Sequence, residues 1–131
     1  MFRASAWCKG GLGTEMAARD QIRDALAAWA QQRQGVHYAL VSREGLPVAS
    51  KLPNAVHEET FAIMSATMLG AASTVNNELR GDEPDFITVK SAAFETFLSG
   101  VTKDLLVVLI IPHTTKREEA VDFLMSIHKI H

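Results

Sequence analysis

Cysteine is nearly absent from this sequence, and long apolar runs are missing altogether. Cys8 is the only cysteine among 131 residues, which excludes an intramolecular disulfide framework and fits a reducing compartment. No apolar run approaches the roughly 20 residues that a membrane-spanning helix needs. The N-terminal segment also lacks the apolar centre of a signal peptide. We therefore expect a cytoplasmic protein with no direct membrane insertion.

An excess of charge of one sign is lacking too. Thirteen Lys and Arg against fifteen Asp and Glu give a formal net charge of −2, so no overall field attracts nucleic acid or an anionic membrane. No strand pair combines basic with aromatic residues, as single-strand binders do. Nucleic acid is therefore not an expected partner. The length fits one domain that buries about two thirds of its unfolded surface.

The motifs of catalysis and metal binding are missing as well. The five histidines form no HxxxH or HxH pair, and Cys8 has no CxxC partner. No GxSxG turn is present to hold a serine nucleophile, and the glycines of residues 10–13 lack the Lys and Ser/Thr of a phosphate loop. Glu58 and Glu59 are adjacent, so on a helix they point in different directions. We expect no enzyme, no metal site and no cofactor.

What the sequence does contain is a series of amphipathic helices and short apolar strands. Residues 1–13 are predicted to be a flexible tail, and residues 14–131 a single domain whose first helix is capped by Thr14. The predicted order is a helix over 14–32, strands over 36–42 and 46–51, a helix over 57–79, strands over 86–91, 93–99 and 105–111, and a last helix from 114 or 115.

The last predicted strand sets the architecture. Its run LLVVLII, residues 105–111, shows no polar alternation, which is typical of a strand covered on both faces. This pattern predicts an α+β fold, a three-layer α/β/α sandwich around a five-stranded, mainly antiparallel sheet. The three helices must then divide two to one between the faces. The family resemblance described below further implies that the hairpin of residues 36–51 forms one edge of the sheet and the third strand the other.

The middle helix has two distinct faces. A large-residue stripe runs along it and is predicted to pack on the chain's own sheet; it comprises Phe61, Met64, Met68, Ala72, Val75 and Leu79. A small-residue row lies about 100–180° away and comprises Ala62, Ala66, Gly70 and Ser73. Gly70 costs about 1 kcal/mol relative to Ala inside a helix. We interpret the row as a surface where a second subunit approaches closely; the alternative is that small residues fill space beside a loop.

Three segments give a family resemblance. They are the hairpin VHYALVSREGLPVAS, the helix ETFAIMSATMLGAASTVNNEL and the strand start DLLVVLIIP. In this order they resemble the Roadblock family of dynein-light-chain-like and GTPase-regulator proteins, and the resemblance covers about residues 17–130. As a single stand-alone domain, the chain looks more like the prokaryotic members than like motor-complex subunits.

The resemblance implies a function and an interface. It implies a non-enzymatic homodimer that regulates or scaffolds a small Ras-like GTPase or a larger complex. Middle helices would pair and third strands would join the two sheets. The predicted interface is then the small-residue row together with Phe86, Ile87 and Val89. Arg43 and Glu44 at the hairpin tip are either solvated or contact a partner. The alternative function is a small-molecule-binding sensory module of similar α/β/α layout, which needs a pocket with converging polar groups.

Overall fold

A computed structural model describes residues 11–128 of the chain. It contains three helices and five strands in the predicted order. These are α1 (Gly11–Gln31), β1 (His37–Ser42), β2 (Pro47–Lys51), α2 (Glu58–Glu78), β3 (Ile87–Lys90), β4 (Phe94–Gly100), β5 (Leu105–Pro112) and α3 (Arg117–His128).

The five strands form one antiparallel sheet in the order β2-β1-β5-β4-β3. β5 is the central strand, and five of its eight residues in succession are buried, which explains its continuous apolar sequence. The hairpin strand β2 and the third strand β3 lie at the two edges. The predicted fold, including these edges, is confirmed.

Each face of the sheet has its own apolar cluster. α1 contributes Ile22, Leu26 and Trp29, and α3 contributes Leu124 and Ile127, to a cluster over one face. Their spacings of three and four residues put each set on one side of its helix. Among residues 11–128, the other face packs against α2 alone, through a smaller cluster. The helices therefore divide two to one, as predicted.

Helix and strand boundaries differ from the predicted ones by a few residues, most of all at the N-terminus. α1 begins at Gly11, so the helix starts three residues before the predicted cap Thr14. The predicted tail otherwise falls on residues 1–10, which lie outside the described residues. At the β1–β2 turn Gly45 has φ +97°, a conformation that glycine adopts without steric cost.

The orientation of α2 corrects the prediction. Its buried residues are Ala62, Ser65 and Leu69, and Ala62 belongs to the apolar cluster that α2 forms with the sheet. Ala62 is fully buried within the protomer, so its assignment to a dimer interface is wrong. Ala66 packs half-buried against the same cluster. Small side chains face inward because they let the α2 backbone lie close to the sheet.

The other two members of the small-residue row lie at the margins of this contact. Ser73 is half-buried, and its Oγ donates to Glu83 Oε1 at 2.9 Å. Gly70 is exposed, and a Cβ added there would meet nothing within 4 Å. The row therefore points mainly toward the chain's own sheet, and only Gly70 faces open space.

Candidate functional site

The large-residue stripe of α2 is mostly exposed. The exposed fractions are 54% for Met64, 37% for Met68, 56% for Val75 and 75% for Leu79. The prediction that this stripe fills the protomer core is therefore wrong; Phe61 and Ala72, which are half-buried, mark its inner margin. No charged residue occurs between Glu59 and Glu78, so the stripe is an uncharged apolar surface. Such surfaces mark interaction sites on soluble proteins.

The edge strand β3 lies beside this stripe. Ile87 is half-buried in the cluster beneath α2, and Val89 on the same face of the strand is 46% exposed. Phe86 faces the opposite side of the sheet, where its ring lies 6.1 Å from that of Phe97. Of the three predicted interface residues at this edge, Ile87 and Val89 on β3 thus share a face with the stripe, and Phe86, which directly precedes the strand, does not.

The register of β3 shows which backbone groups remain unpaired. Ser91 N donates to Phe94 O at 3.0 Å and closes the β3–β4 hairpin, while Val89 lies opposite Thr96. Bonded and non-bonded pairs alternate in an antiparallel ladder, so Val89 bonds to β4, whereas the N–H groups of Thr88 and Lys90 point to the open edge. An open edge of this kind is a template for another strand.

Two apolar grooves follow α2 on the side of the stripe. The central groove, of about 190 Å³, lies between the stripe and the sheet and is lined by Phe61, Met64, Ser65, Met68, Val89, Thr96, Leu98 and Val108. The distal groove, of about 410 Å³, lies at the N-terminal end of α2 and is lined by Gly35, His37, Pro53, Val56, Phe61, Ala93, Phe94, Thr96, Ile110 and Pro112. Phe61 and Thr96 line both, so the two are continuous.

Arg43, predicted at the hairpin tip to be either solvated or in contact with a partner, folds back onto its own protomer. Its Nε donates to Thr102 O at 2.9 Å, and its Nη1 lies 3.2 Å from Glu83 Oε1. The same Glu83 oxygen accepts from Ser73 on α2. Arg43 therefore links the hairpin, the β4–β5 turn and the segment between α2 and β3. Its neighbour Glu44 is exposed, so of these two residues Glu44 is the one that is free to contact a partner.

A serine–histidine contact lies within the fold, but its geometry is structural. Ser99 Oγ lies 2.8 Å from His128 Nε2 and donates to Asp85 O at 2.8 Å. Since the hydroxyl proton is used in the second bond, the imidazole is the donor in the first. Ser99 is also fully buried. The pair therefore fixes the end of α3 to the segment before β3 and is not arranged as a nucleophile and base.

Comparison with known proteins gives the family of this chain. The model of the Roadblock/LC7 domain matches residues 24–110, so the chain belongs to the Roadblock/LC7 family. Domains of this family are regulatory and non-catalytic. A comparison with curated protein sequences finds no match.

Solved structures agree with this fold. A Roadblock/LC7 domain from Streptomyces avermitilis is 11% identical with a TM-score of 0.73, covering 82% of this chain and 92% of that one. The gliding protein MglB from Thermus thermophilus is 16% identical with a TM-score of 0.67, covering 88% and 93%. Myxococcus xanthus MglB is 16% identical with a TM-score of 0.66, covering 96% and 95%. At these identities the likeness establishes the fold.

Within the described residues, none of the helices has the length and apolarity of a membrane span. Residues 11–128 also contain no group of three or more His, Cys, Asp or Glu side chains placed to hold a metal ion. The features that distinguish this surface are therefore apolar side chains and an open strand edge.

Proposed function

We propose that this protein is a cytoplasmic homodimer that regulates or scaffolds a small Ras-like GTPase. The observation that carries the dimer is the exposed, uncharged stripe of α2 lying beside the open edge of β3. The GTPase partner rests on membership of the Roadblock/LC7 family and on the likeness to MglB structures.

A second copy suits this surface better than an unrelated partner. A two-fold axis at β3 would join two identical edges in antiparallel pairing and bring the two α2 stripes together over the joined sheet. In each contact a surface of one protomer meets the same surface of the other protomer, as two-fold symmetry requires. Each Å² of apolar surface that dimerisation removes from water would stabilise the dimer by about 25 cal/mol.

The dimer is tested by a matched pair of substitutions at adjacent positions of α2. Val75→Glu places a charge on the stripe, whereas Thr74→Glu places the same charge on an exposed position about 100° around the helix. We expect the wild type and Thr74→Glu to sediment as dimers and Val75→Glu as a folded monomer. A wild-type monomer at micromolar concentration, or a dimer that survives Val75→Glu, would contradict this interface.

The GTPase relationship is tested by binding to purified Ras-like GTPases of the source organism. A regulator shifts an equilibrium only if it binds two states of its target with different affinity. We therefore expect at least tenfold different dissociation constants for the GDP-bound and GTP-analogue-bound forms, measured by calorimetry. Equal affinity for both forms would indicate a scaffold, and no binding to any of them would reject the GTPase.

The alternative function, a small-molecule-binding sensory module, is tested by asking whether the two grooves bind a ligand. The linings are mainly apolar, with Ser65, Thr96 and His37 among the few polar side chains. A small-molecule site of this size normally combines an apolar lining with converging polar groups. If the grooves serve a ligand, the dimer-breaking Val75→Glu variant should retain ligand binding, which thermal-shift measurements with a metabolite library would detect.

A further inference from the structure

Leu79 is a largely exposed apolar residue on a well-defined stretch of backbone. It is 75% exposed, yet its backbone is held at the end of α2, where Leu79 N donates to Val75 O at 3.1 Å. Arg80, at φ 59°, then ends the helix, and Gly81 N donates to Asn76 O at 2.7 Å. The chain thus holds a large apolar side chain in water at a defined position.

The distal groove is the complementary feature at the other end of α2. Its apolar lining includes Pro53, Val56, Phe61 and Phe94, and Val56 and Phe94 are 36% and 45% exposed. A cavity of about 150 Å³ accommodates a benzene molecule, so a groove of about 410 Å³ has room for a leucine side chain. No side chain of the described residues fills it.

The proposed two-fold axis relates these two features. Met64 and Met68 line the central groove together with Val89, so an axis at the middle of β3 passes level with this part of α2. α2 runs from there toward the β4–β5 turn, where Leu69 lies beside Gly100. Leu79 follows Leu69 by ten residues, about 15 Å farther along the chain of α2 at 1.5 Å per residue. Antiparallel pairing of two β3 strands would place this end of one protomer beside the opposite end of the other, where Phe94 and Pro112 border the distal groove. The partner's Leu79 would then lie at the end of the sheet that contains the groove.

We propose that Leu79 of each protomer inserts into the distal groove of the other. The inference rests on the proposed homodimer and assigns the anchor residue and its pocket within it. The occupant of the groove is thus a second copy of this chain, and each dimer contains two such contacts. Val75, one turn earlier on the same stripe, would pack at the rim of the same groove, next to Phe61.

The first test compares two exposed leucines. Leu79→Ser removes the anchor, whereas Leu46→Ser changes a leucine that is 63% exposed at the hairpin tip, away from both grooves. We expect Leu79→Ser to raise the dimer dissociation constant at least twentyfold and Leu46→Ser less than twofold, measured by analytical ultracentrifugation. Both sites are exposed, so circular dichroism should show an unchanged fold.

The outcomes separate this inference from the dimer itself. If Leu79→Ser dimerises like the wild type while Val75→Glu is monomeric, the interface stands and the anchor is wrong. If the wild type is monomeric, the homodimer fails and the anchor fails with it. A Phe94→Ala variant probes the pocket: it should weaken the dimer, and adding Leu79→Ser should then weaken it far less than in the wild type.

Disulfide trapping gives a second, direct measurement. In a Cys8→Ser background, Leu79→Cys protein is mixed with Val56→Cys protein and oxidised. A disulfide requires the two Cβ atoms to lie about 3.5–4.5 Å apart, so we expect a cross-linked pair of subunits from this mixture. A mixture of Leu79→Cys with Leu46→Cys should give none. Equal cross-linking in both mixtures, or none in the first, would overturn the proposal.

Discussion

Arg43 shows how the structure changes the meaning of a residue that the sequence placed at a hairpin tip. An arginine that inserts into a GTPase active site must be free to reach it, because it acts by stabilising developing charge there. Arg43 is instead bonded to Thr102 O and Glu83, and its guanidinium lies so close to Gly100 that an added Cβ would collide with it. Its role is to hold three loops together at one end of the sheet.

Removing this side chain should therefore affect folding. We predict that Arg43→Ala lowers the free energy of unfolding by about 1–2 kcal/mol, the range for hydrogen bonds to a charged group, reduced by partial exposure. Urea denaturation measures it. Lys103→Ala, on an exposed residue of the neighbouring β4–β5 turn, is the control and should stay within about 0.5 kcal/mol of the wild type. Similar losses for both variants would contradict the structural role.

At the scale of elements, the pattern of apolar residues predicted every described helix and strand. It did not predict which face of α2 is buried against the sheet. β5 could be predicted because a strand covered on both faces has a continuous apolar run, here Leu105–Ile111. The orientation of α2 could not, because no charged residue between Glu59 and Glu78 marks the exposed side of the helix. Periodicity distinguishes two faces but does not say which one is buried. Large residues were assigned inward, whereas Ala62 and Ser65 are buried.

Gly70 gives a test of this orientation within α2. It is exposed, lies in the helix interior, and has open space where a Cβ would be. We predict that Gly70→Ala raises the free energy of unfolding by about 0.5–1 kcal/mol, because alanine loses less backbone entropy in a helix. Gly45→Ala should lower it, since Gly45 has φ +97° and its Cβ would lie 3.3 Å from Ile63 Cα. Thermal and urea unfolding measure both.

The same position also distinguishes the two interface hypotheses. If the small-residue row were the contact, as expected from the sequence, Gly70→Leu would weaken the dimer more than Met68→Leu. In the structure Gly70 and Met68 are two residues apart, about 200° around the helix, so Gly70 lies opposite the exposed stripe. We now expect Gly70→Leu to leave the dimer dissociation constant unchanged. A marked rise in that constant would indicate that the small-residue row is the interface.

For the whole molecule, the sheet has two edges and the apolar surface lies beside only one of them. β2 is partly covered by α2, whose first-turn Glu58 contacts Ser50 on that strand. β3 has an exposed Val89 on one face and a single charged residue, Lys90, to discourage pairing with other strands. A protein with such an edge is protected from aggregation when a defined partner occupies it. The proposed ten-stranded sheet of the dimer leaves only the two β2 edges open.

The register of β3 gives the sharpest test of this pairing. Val89→Pro would remove an N–H that bonds to Thr96 within the protomer. Thr88→Pro would instead remove an N–H that points to the open edge. We therefore predict that Thr88→Pro raises the dimer dissociation constant at least tenfold while the monomer keeps its circular dichroism spectrum, because proline is tolerated on an edge strand. Val89→Pro should also lower the melting temperature of the monomer. Sedimentation and thermal unfolding separate the two effects, and a Thr88→Pro variant that dimerises like the wild type would show that β3 does not pair across the axis.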